Sequence, residues 1–497
     1  MDYKMSWLKK YPQLTSLLLG GLCIFGFAPY YVFILPILSI AGLFYLWELT
    51  NSPKEAAKLG FAFGLGFFIA GVYWIYISLH DVGGMPFWMA GFATFCLCAF
   101  LALFPALVGF LAKRSNRLLT TAAIVWVLAE WVRSWIFTGF PWLSIGYSQV
   151  PFSPLAGYAP ILGAFGVSAA CTISASLLAA IYLNHQRKHA ILYLMAIWLI
   201  GALIGLTNWT TPVGKPTNVA LIQGNIAQEM KWDESIAIQT VNQYLGMTKQ
   251  AQADLVILPE TALPLAIDLA QKDISQDQML APFKTIATQD NKAILVGAVS
   301  QKSDAYFNTM LGISNFDAVQ TYHKSHLVPF GEFIPLKLVF GWIYRDWLNM
   351  PLSDLSRGSL TQKPMQLAGQ KIAVNICYED VFGEEIIRQL PEATLLVNAS
   401  NDAWYGQSNA ADQHLQFSQM RALETGRMAL RATNTGATAI IDTKGNVIAT
   451  VPQFTTIILN GKVQGYTGST PFIRWGNYAI ISLLFIALIL LWGRKKK

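Results

Sequence analysis

The chain has 497 residues, of which 54% are hydrophobic and only 13% are charged, and its formal net charge is +7. The charged fraction is about half of the roughly 25% typical of soluble domains, which indicates a membrane protein. The basic residues cluster beside apolar segments and not in aromatic-basic patches, so we interpret the positive charge as a topology signal and expect no nucleic-acid partner.

Apolar runs divide the chain into three predicted parts. Eight runs are long enough to span a bilayer, at 14–28, 31–48, 57–79, 86–112, 118–137, 160–183, 190–207 and 477–492. The hydropathy between 208 and 476 falls to that of a soluble domain. We therefore predict a membrane domain with seven transmembrane helices at 1–207, a folded α/β domain at 208–476, and a C-terminal transmembrane helix with a basic tail at 477–497.

The short connections between these runs differ in charge, which predicts their orientation. Lys and Arg cluster in one set of connections, at 4–10, 54–58, 113–117, 187–188 and 494–497, whereas the opposite set, at 29–30, 80–85 and 138–159, carries none. The positive-inside rule then places both termini in the cytoplasm and, after seven spans, the folded domain outside it. No small-residue cleavage site follows the first run, so we expect that run to be retained.

Strand and helix patterns alternate in the folded domain, which predicts an α/β fold. The predicted strands are Asn218–Ile222, Leu255–Leu258, Ala293–Ala298, Met310–Ser314, Ile372–Ile376, Thr394–Asn398 and Ala437–Ile441. The predicted helices lie near 233–250, 278–289, 382–390 and 412–430. Segment 333–356 is apolar without clear periodicity. It is either an insertion that buries its aromatic residues in the domain core or an arm that contacts the bilayer surface or covers a site.

Cys377 is the only cysteine in the folded domain, since the other four lie in apolar runs. It follows the strand pattern "KIAVNI" and precedes "YED". A thiol in a sharp turn at a strand end is exposed to attack a carbonyl and form a thioester, with nearby backbone N–H groups facing the substrate. The alternative is a small buried apolar residue, which is what most free cysteines are.

Two further residues suit the same chemistry. Glu260 ends the strand segment "DLVILPE", where a carboxylate can act as a base toward a thiol. Lys324 lies in "YHKSHLVPFGE", where an ammonium group can stabilise an oxyanion and favour a thiolate. The alternatives are a capping or surface glutamate and an ordinary surface lysine.

The segments "LVILPETA", "YHKSHLVPFGE" and "VNICYED" resemble, in the same order, the three signature regions of the nitrilase (carbon–nitrogen hydrolase) superfamily. The resemblance implies a four-layer αββα sandwich with Glu260 as general base, Lys324 as oxyanion stabiliser and Cys377 as nucleophile. It also implies that Glu332 supports Lys324 and the base by hydrogen bonding, although a loop salt bridge would explain Glu332 as well.

The whole chain is similar to the apolipoprotein N-acyltransferase family, in which such a domain lies between seven spans and one. "GFPWLSIGYSQ", "LIQGNIAQEMKWDE", "NASNDAWYG" and "RALETGRMALRATNTG" add to the resemblance. The family implies a multi-pass protein of the bacterial inner membrane with a periplasmic catalytic domain. It also implies a ping-pong reaction, in which Cys377 takes an acyl chain from a phospholipid, typically phosphatidylethanolamine. The α-amino group of a diacylglyceryl-modified lipoprotein cysteine then accepts that chain.

The same resemblance assigns further residues to the site. Tyr378 and Glu379 are expected to support the triad. The backbone N–H of Tyr378, which follows the nucleophile, is expected to donate to the oxyanion. Trp232, Trp342 and Trp404 are expected to contact substrate. Core aromatic residues and a capping carboxylate are the alternatives for these positions. We expect no cofactor, no metal and a monomer.

Two other functions share parts of this pattern. A membrane-tethered amidase acting on small amides would use the same triad, but one anchor would be enough for it. A transporter with a regulatory domain would need paired polar groups at mid-membrane in repeated halves. Away from the ends of the apolar runs we find only Glu130 and Arg133, and no duplicated pattern. That pair is either structural or in contact with lipid headgroups. His323 and His326 have metal-ligand spacing, but no third ligand is evident.

Overall fold

The computed structural model describes residues 10–227, 234–269, 273–315, 318–335 and 354–493. The chain forms two compact units. One unit comprises Met1–Tyr76, Phe87–Thr207 and Arg474–Lys497, and the other comprises Ile77–Pro86 and Asn208–Ile473.

The first unit is α-helical. Its main helices are α1 Pro12–Cys23, α2 Ile34–Leu49, α3 Pro53–Val72, α4 Phe87–Lys113, α5 Leu118–Arg133, α6 Ala159–Tyr182, α7 Arg187–Gly205 and, at the end of the chain, α11 Tyr478–Gly493. Within the described residues, four helical stretches are long and apolar enough to cross a membrane: Pro53–Val72, Phe87–Lys113, Pro154–Tyr182 and Arg187–Gly205. Pro12–Gly26, Ile34–Leu49 and Tyr478–Leu491 are apolar but shorter.

Glycines bring the backbones of these helices together. A Cβ added at Gly60 would lie 2.3 Å from the carbonyl oxygen of Pro105 in α4, and one at Gly66 would lie 2.0 Å from that of Leu17 in α1. Only glycine therefore fits where α3 crosses its neighbours, as expected for helix packing through small residues.

Glu130 and Arg133 are both buried near the end of α5. Glu130 accepts hydrogen bonds from Trp126 Nε1 (3.0 Å), the backbone N–H of Ile145 (2.8 Å) and Ser168 Oγ (2.7 Å). Arg133 donates to the carbonyl oxygens of Phe140 and Trp142, at 2.6 Å each. The two side chains thus fix the loop after α5, which supports the structural interpretation of the pair.

The second unit contains two β-sheets and three longer helices. Its elements are β1 Thr210–Gln223, α8 Glu234–Gln250, β2 Leu255–Ile257, β3 Leu263–Asp268, α9 Ala281–Gln289, β4 Ala293–Lys302, β5 Ala305–Ile313, β6 Gln320–His323, β7 Met365–Leu367, β8 Gln370–Ile376, β9 Leu395–Ser400, α10 Ala410–Thr425, β10 Ala429–Thr433, β11 Ala439–Ile441, β12 Val447–Thr450 and β13 Ile457–Gly468. The first sheet has the order β13-β1-β2-β4-β5-β6, with β3 also paired to β4, and the second has the order β12-β11-β10-β9-β8-β7.

Each sheet is covered on one face by helices and meets the other sheet on its opposite face. Tyr244 of α8 and Phe283 of α9 belong to one hydrophobic cluster with the first sheet. Leu415 of α10 belongs to a second cluster with β11. Between the sheets, Thr438 Oγ1 donates to Gln223 Oε1 (2.8 Å). The unit is therefore the expected helix–sheet–sheet–helix sandwich.

All seven predicted strands coincide with observed ones, but the predicted helix 412–430 is wrong at its end. Helix α10 ends at Thr425 because Gly426 adopts φ 61°, a left-handed conformation that glycine adopts without strain. The chain then enters strand β10, which contains Arg431. Strands β3, β6, β7, β10, β12 and β13 were not predicted.

Candidate active site

Cys377 lies at the turn between β8 and a short 3₁₀ helix, Cys377–Val381. Its φ is +50°, a left-handed conformation that costs a non-glycine residue of order 1 kcal/mol or more. The residue is only 6% exposed. β8 is paired in parallel with β9, so residues that follow both strands come to the same sheet edge.

Glu260 follows β2 by three residues and is buried. Its Oε1 accepts from Asn308 Nδ2 (2.7 Å) and Lys324 Nζ (3.3 Å), and its Oε2 accepts from the backbone N–H of Asn401 (2.9 Å). Asn401 follows β9 of the second sheet, so this carboxylate joins the two sheets at the site.

Lys324 directly follows β6 and is 1% exposed. Its Nζ lies between two carboxylates, 3.3 Å from Glu260 Oε1 and 2.9 Å from Glu332 Oε2. Asn308 Nδ2 also donates to Glu332 Oε1 (2.8 Å). The structure thus brings the predicted Glu260, Lys324 and Glu332 into one cluster and adds Asn308, which the sequence did not suggest.

The charges of this cluster act on Cys377. Burial raises the pKa of the Cys377 thiol, the Glu260 carboxylate raises it further, and Lys324 opposes the rise. Burial alone would lower the pKa of Lys324, but Glu332, Glu260 and Cys377 outweigh it and raise that pKa above its usual value. The cysteine therefore rests as a thiol beside a carboxylate and a permanently charged ammonium group.

Glu379 is buried and connects the turn at Cys377 to the loop at Lys324. Its carboxylate accepts from the backbone N–H groups of Ser325 (2.6 Å), His326 (3.2 Å) and Ile376 (2.7 Å), and from Tyr322 Oη (3.1 Å). Burial raises the pKa of Glu379, although these hydrogen bonds to the ionised form oppose the rise. The residue therefore ties together the two segments that carry Cys377 and Lys324.

The other predicted site residues differ in what the structure describes of them. Tyr378 is buried and packs edge-on against Phe382, with ring centroids 5.2 Å apart. Trp404 is half-buried in a short 3₁₀ helix, Asp402–Tyr405, that follows β9. Trp232 and Trp342, and most of segment 333–356, lie outside the described residues.

A second polar network, which the sequence did not suggest, lies beneath the turn at Cys377. Asp402 accepts from Arg431 (2.8 Å) and pairs with His414 Nδ1 (3.0 Å), while Ser418 donates to Asp380. The stretch "DQHLQFSQMR" places polar or charged residues on every face of a helix. In a helix that is buried, as this one is, such a pattern indicates a buried polar network. Because the helix was predicted to continue to residue 430, strand β10 was not predicted, and so neither was the position of Arg431 beside Asp402.

The two histidines with metal-ligand spacing have separate partners. His323 Nδ1 lies 2.9 Å from Thr309 Oγ1, and His326 Nδ1 lies 3.1 Å from Glu385 Oε1. In the part of the chain that the structure describes, no group of three or more His, Cys, Asp or Glu side chains is arranged to hold a metal ion.

The sequence match defines the class of this domain. Residues 218–472 match the carbon–nitrogen hydrolase family. Residues 19–177 match the N-terminal domain of apolipoprotein N-acyltransferase. A solved structure of a CN-hydrolase superfamily protein from Xanthomonas campestris is 18% identical, covers 57% of this chain and 99% of that chain, and has a TM-score of 0.39.

Relatives match nearly the full length of the chain. The apolipoprotein N-acyltransferase of Nitrosomonas europaea is 48% identical, over 97% of this chain and 98% of the relative. That of Chromobacterium violaceum is 44% identical, over 97% of this chain and 94% of the relative. The chain therefore belongs to the apolipoprotein N-acyltransferase family, as its sequence motifs predicted.

Proposed function

We propose that the chain transfers an acyl chain from a phospholipid, typically phosphatidylethanolamine, to the α-amino group of the lipidated N-terminal cysteine of a lipoprotein. The observation that carries the proposal is the cluster around Cys377: a thiol in a strained turn, acted on by Glu260 and Lys324. It lies in a chain whose relatives carry the name of this activity over nearly their full length.

The first half-reaction acylates the enzyme. Glu260 takes the thiol proton as Cys377 sulfur attacks the ester carbonyl, and Lys324 stabilises the oxyanion that forms. The C–O bond then breaks, the proton passes from Glu260 to the departing oxygen, and a lysophospholipid leaves. Coupling proton transfer to attack suits a thiol whose pKa is raised by burial, because a free thiolate would be costly there.

The second half-reaction returns the enzyme to its resting state. The lipoprotein amine attacks the thioester carbonyl, and Glu260 accepts the proton that the nitrogen loses. The C–S bond breaks, the amide forms, and the proton returns to Cys377 sulfur. Glu332 holds Lys324 in place throughout, and Asn308 holds Glu260. Tyr378 and Glu379 support the turn. Trp404, Trp232 and Trp342 contact the substrates.

The proposed location is the bacterial inner membrane, with eight spans, both termini in the cytoplasm and the catalytic domain in the periplasm. Lys and Arg flank one set of helix ends, while the loop between α5 and α6 carries none and exposes Trp135, Phe137 and Phe152. Exposed aromatic residues are typical of a membrane interface. A green fluorescent protein fused after Lys497 should fluoresce; a dark fusion that is nevertheless expressed would contradict this orientation.

Intact-protein mass spectrometry tests the activity. Wild-type protein incubated with phosphatidylethanolamine should gain the mass of one acyl chain, and Cys377→Ala should gain none. Hydroxylamine or a diacylglyceryl-cysteine peptide should remove the added mass, and water alone should not. An adduct that water discharges as fast as the peptide does would indicate a hydrolase, and a wild-type protein without any adduct would contradict the proposal. We propose a monomer without cofactor, which light scattering and native mass spectrometry would test.

A further inference from the structure

The carbonyl oxygen of Cys377 is held by two side chains. His414 Nε2 lies 3.0 Å from this oxygen, and Asn398 Nδ2 donates to it at 3.2 Å. We infer that His414, charged and held by Asp402, is a positioning residue that fixes the peptide group of the nucleophile and thereby sets the rate of the chemical step. The inference deepens the proposed function and rests on it for the role of Cys377.

Both ring nitrogens of His414 face acceptors. A carbonyl oxygen only accepts, so Nε2 carries a hydrogen, and Nδ1 faces Asp402 Oδ1 at 3.0 Å. Both oxygens of Asp402 accept hydrogen bonds from other groups, Oδ2 from Arg431 Nη2 (2.8 Å) and Oδ1 from Ser400 Oγ (2.9 Å). Asp402 is therefore a carboxylate, and Nδ1 must donate to it. The ring then carries both protons and one positive charge.

The charges behind the turn balance, which makes a charged His414 stable there. Asp402 Oδ2 accepts from Arg431 Nη2 (2.8 Å), and Arg431 Nη1 lies 3.7 Å from Asp380 Oδ2. Two carboxylates thus face two cations, all of them buried. Both ring nitrogens of His414 have buried partners, Asp402 Oδ1 and the carbonyl oxygen of Cys377, so these contacts hold the ring in one orientation.

The contacts of His414 and Asn398 fix the backbone of Cys377, the proposed nucleophile. Cys377 has a φ of +50°, which an unsupported L-residue seldom keeps. Its carbonyl oxygen belongs to the same peptide group as the N–H of Tyr378. A charge-assisted bond to the oxygen both fixes that plane and polarises the N–H, which strengthens it as a donor to an oxyanion. His414 thus acts on the reaction from behind the nucleophile without touching substrate.

The test compares His414→Leu, His414→Gln and the control Leu415→Ala in the full-length protein. Leucine removes the donor, glutamine offers a neutral one, and Leu415 is a buried residue of the same helix that packs in its core. The single-turnover rate of acyl-enzyme formation is measured by mass spectrometry over a range of phosphatidylethanolamine concentrations, together with the melting temperature. In parallel, alkylation of Cys377 by iodoacetamide is followed against pH, which needs no lipid.

We expect His414→Leu to lower the maximal rate by about ten- to a hundredfold, with the half-saturating lipid concentration nearly unchanged. His414→Gln should lose less. Both variants should shift the alkylation curve to higher pH, because Asp402, whose charge raises the pKa of Cys377, loses its partner His414. Leu415→Ala should melt earlier but keep the wild-type rate and curve. If His414→Leu does not fold, His414→Gln decides the matter.

A wild-type rate and an unshifted alkylation curve in the folded histidine variants would overturn the inference. A rate loss that matches that of Leu415→Ala at equal melting temperature would do the same. If wild-type protein forms no acyl adduct, the proposed function fails instead, and the alkylation curves still decide whether His414 acts on Cys377.

Discussion

Asn308 Nδ2 lies 2.7 Å from Oε1 of Glu260, and it also lies 2.8 Å from Oε1 of Glu332. One amide nitrogen thus binds both carboxylates that contact Lys324 Nζ and holds them on either side of it. Asn308→Asp should replace this donor with a third carboxylate and lower the rate of acyl-enzyme formation at least a hundredfold, because like charges would repel. Asn308→Leu should lose less, since it only removes the donor.

The matched control for this change is Asn315→Asp, just after the end of the same strand, whose side chain donates to Asn291 at the surface. It should keep the wild-type rate. Mass-spectrometric rates of acyl-enzyme formation measure all three variants. An Asn308→Asp protein with near wild-type activity would show that the shared donor does not organise the carboxylates.

The pH dependence of Cys377 reactivity follows from its surroundings. Its pKa is raised by burial and by Glu260, so alkylation by iodoacetamide should be slow near neutral pH and should increase as the solution becomes alkaline. Lys324 opposes that rise. Lys324→Met should therefore raise the pKa further and move the alkylation curve to higher pH by about one unit.

Lys292→Met is the control for this titration, since Lys292 is another buried lysine, paired with Asp290. Its alkylation curve should coincide with that of wild type. Peptide mass spectrometry at Cys377 measures each rate, and a melting curve shows whether the variants are folded. A Lys324→Met curve at lower pH than wild type would contradict the electrostatic account of the site.

Glu379 is expected to affect stability and activity because it connects the loop at Lys324 to the turn at Cys377. Both carboxylate oxygens of Glu379 now accept hydrogen bonds from backbone N–H groups. Glutamine would replace one of these oxygens with an –NH₂ group, which cannot accept them. Glu379→Gln should lower the free energy of unfolding by about 2–3 kcal/mol and reduce activity more than tenfold, because hydrogen bonds to a buried charged group are lost. The exposed Glu392→Gln should change neither. Thermal melting together with acyl-enzyme formation checks both, and an unaltered Glu379→Gln would refute this role.

Gly297 of β4 lies directly against the backbone beside Glu260. A Cβ there would lie 2.3 Å from the carbonyl oxygen of Pro259 and 2.6 Å from the N of Thr261. Gly297→Ala should displace Glu260, lower activity more than tenfold and cost about 1–3 kcal/mol of stability. Gly246→Ala, in open space on α8, should be neutral or slightly stabilising. Equal activities for the two variants would show that Glu260 tolerates the shift.

Strand patterns, together with the resemblance of three segments to a known family, were enough to select Glu260, Lys324 and Cys377 as candidates and to predict seven of the thirteen described strands. Glu260 and Cys377 each follow an apolar strand, and such positions meet at sheet edges whatever the intervening loops. Asn308 gave no such signal, because it lies inside β5 and its role depends on two carboxylates that only the fold brings near it.

The network of Asp402, His414 and Arg431 was missed for a different reason. Helical periodicity continued past Gly426, and nothing local showed that the chain turns there and pairs β10 in parallel with β9. The pairing brings Arg431 beside Asp402. Long-range strand pairing of this kind is set by tertiary packing, which single-sequence patterns do not contain.

Strands β1 and β13 are antiparallel neighbours, and Thr210 lies opposite Gly468 in their ladder. The chain therefore enters and leaves the catalytic domain through two adjacent backbones. Nearly all of this domain is therefore one continuous stretch of chain, Asn208–Ile473, inserted into the sequence of the helical unit, and Ile77–Pro86 is its other segment.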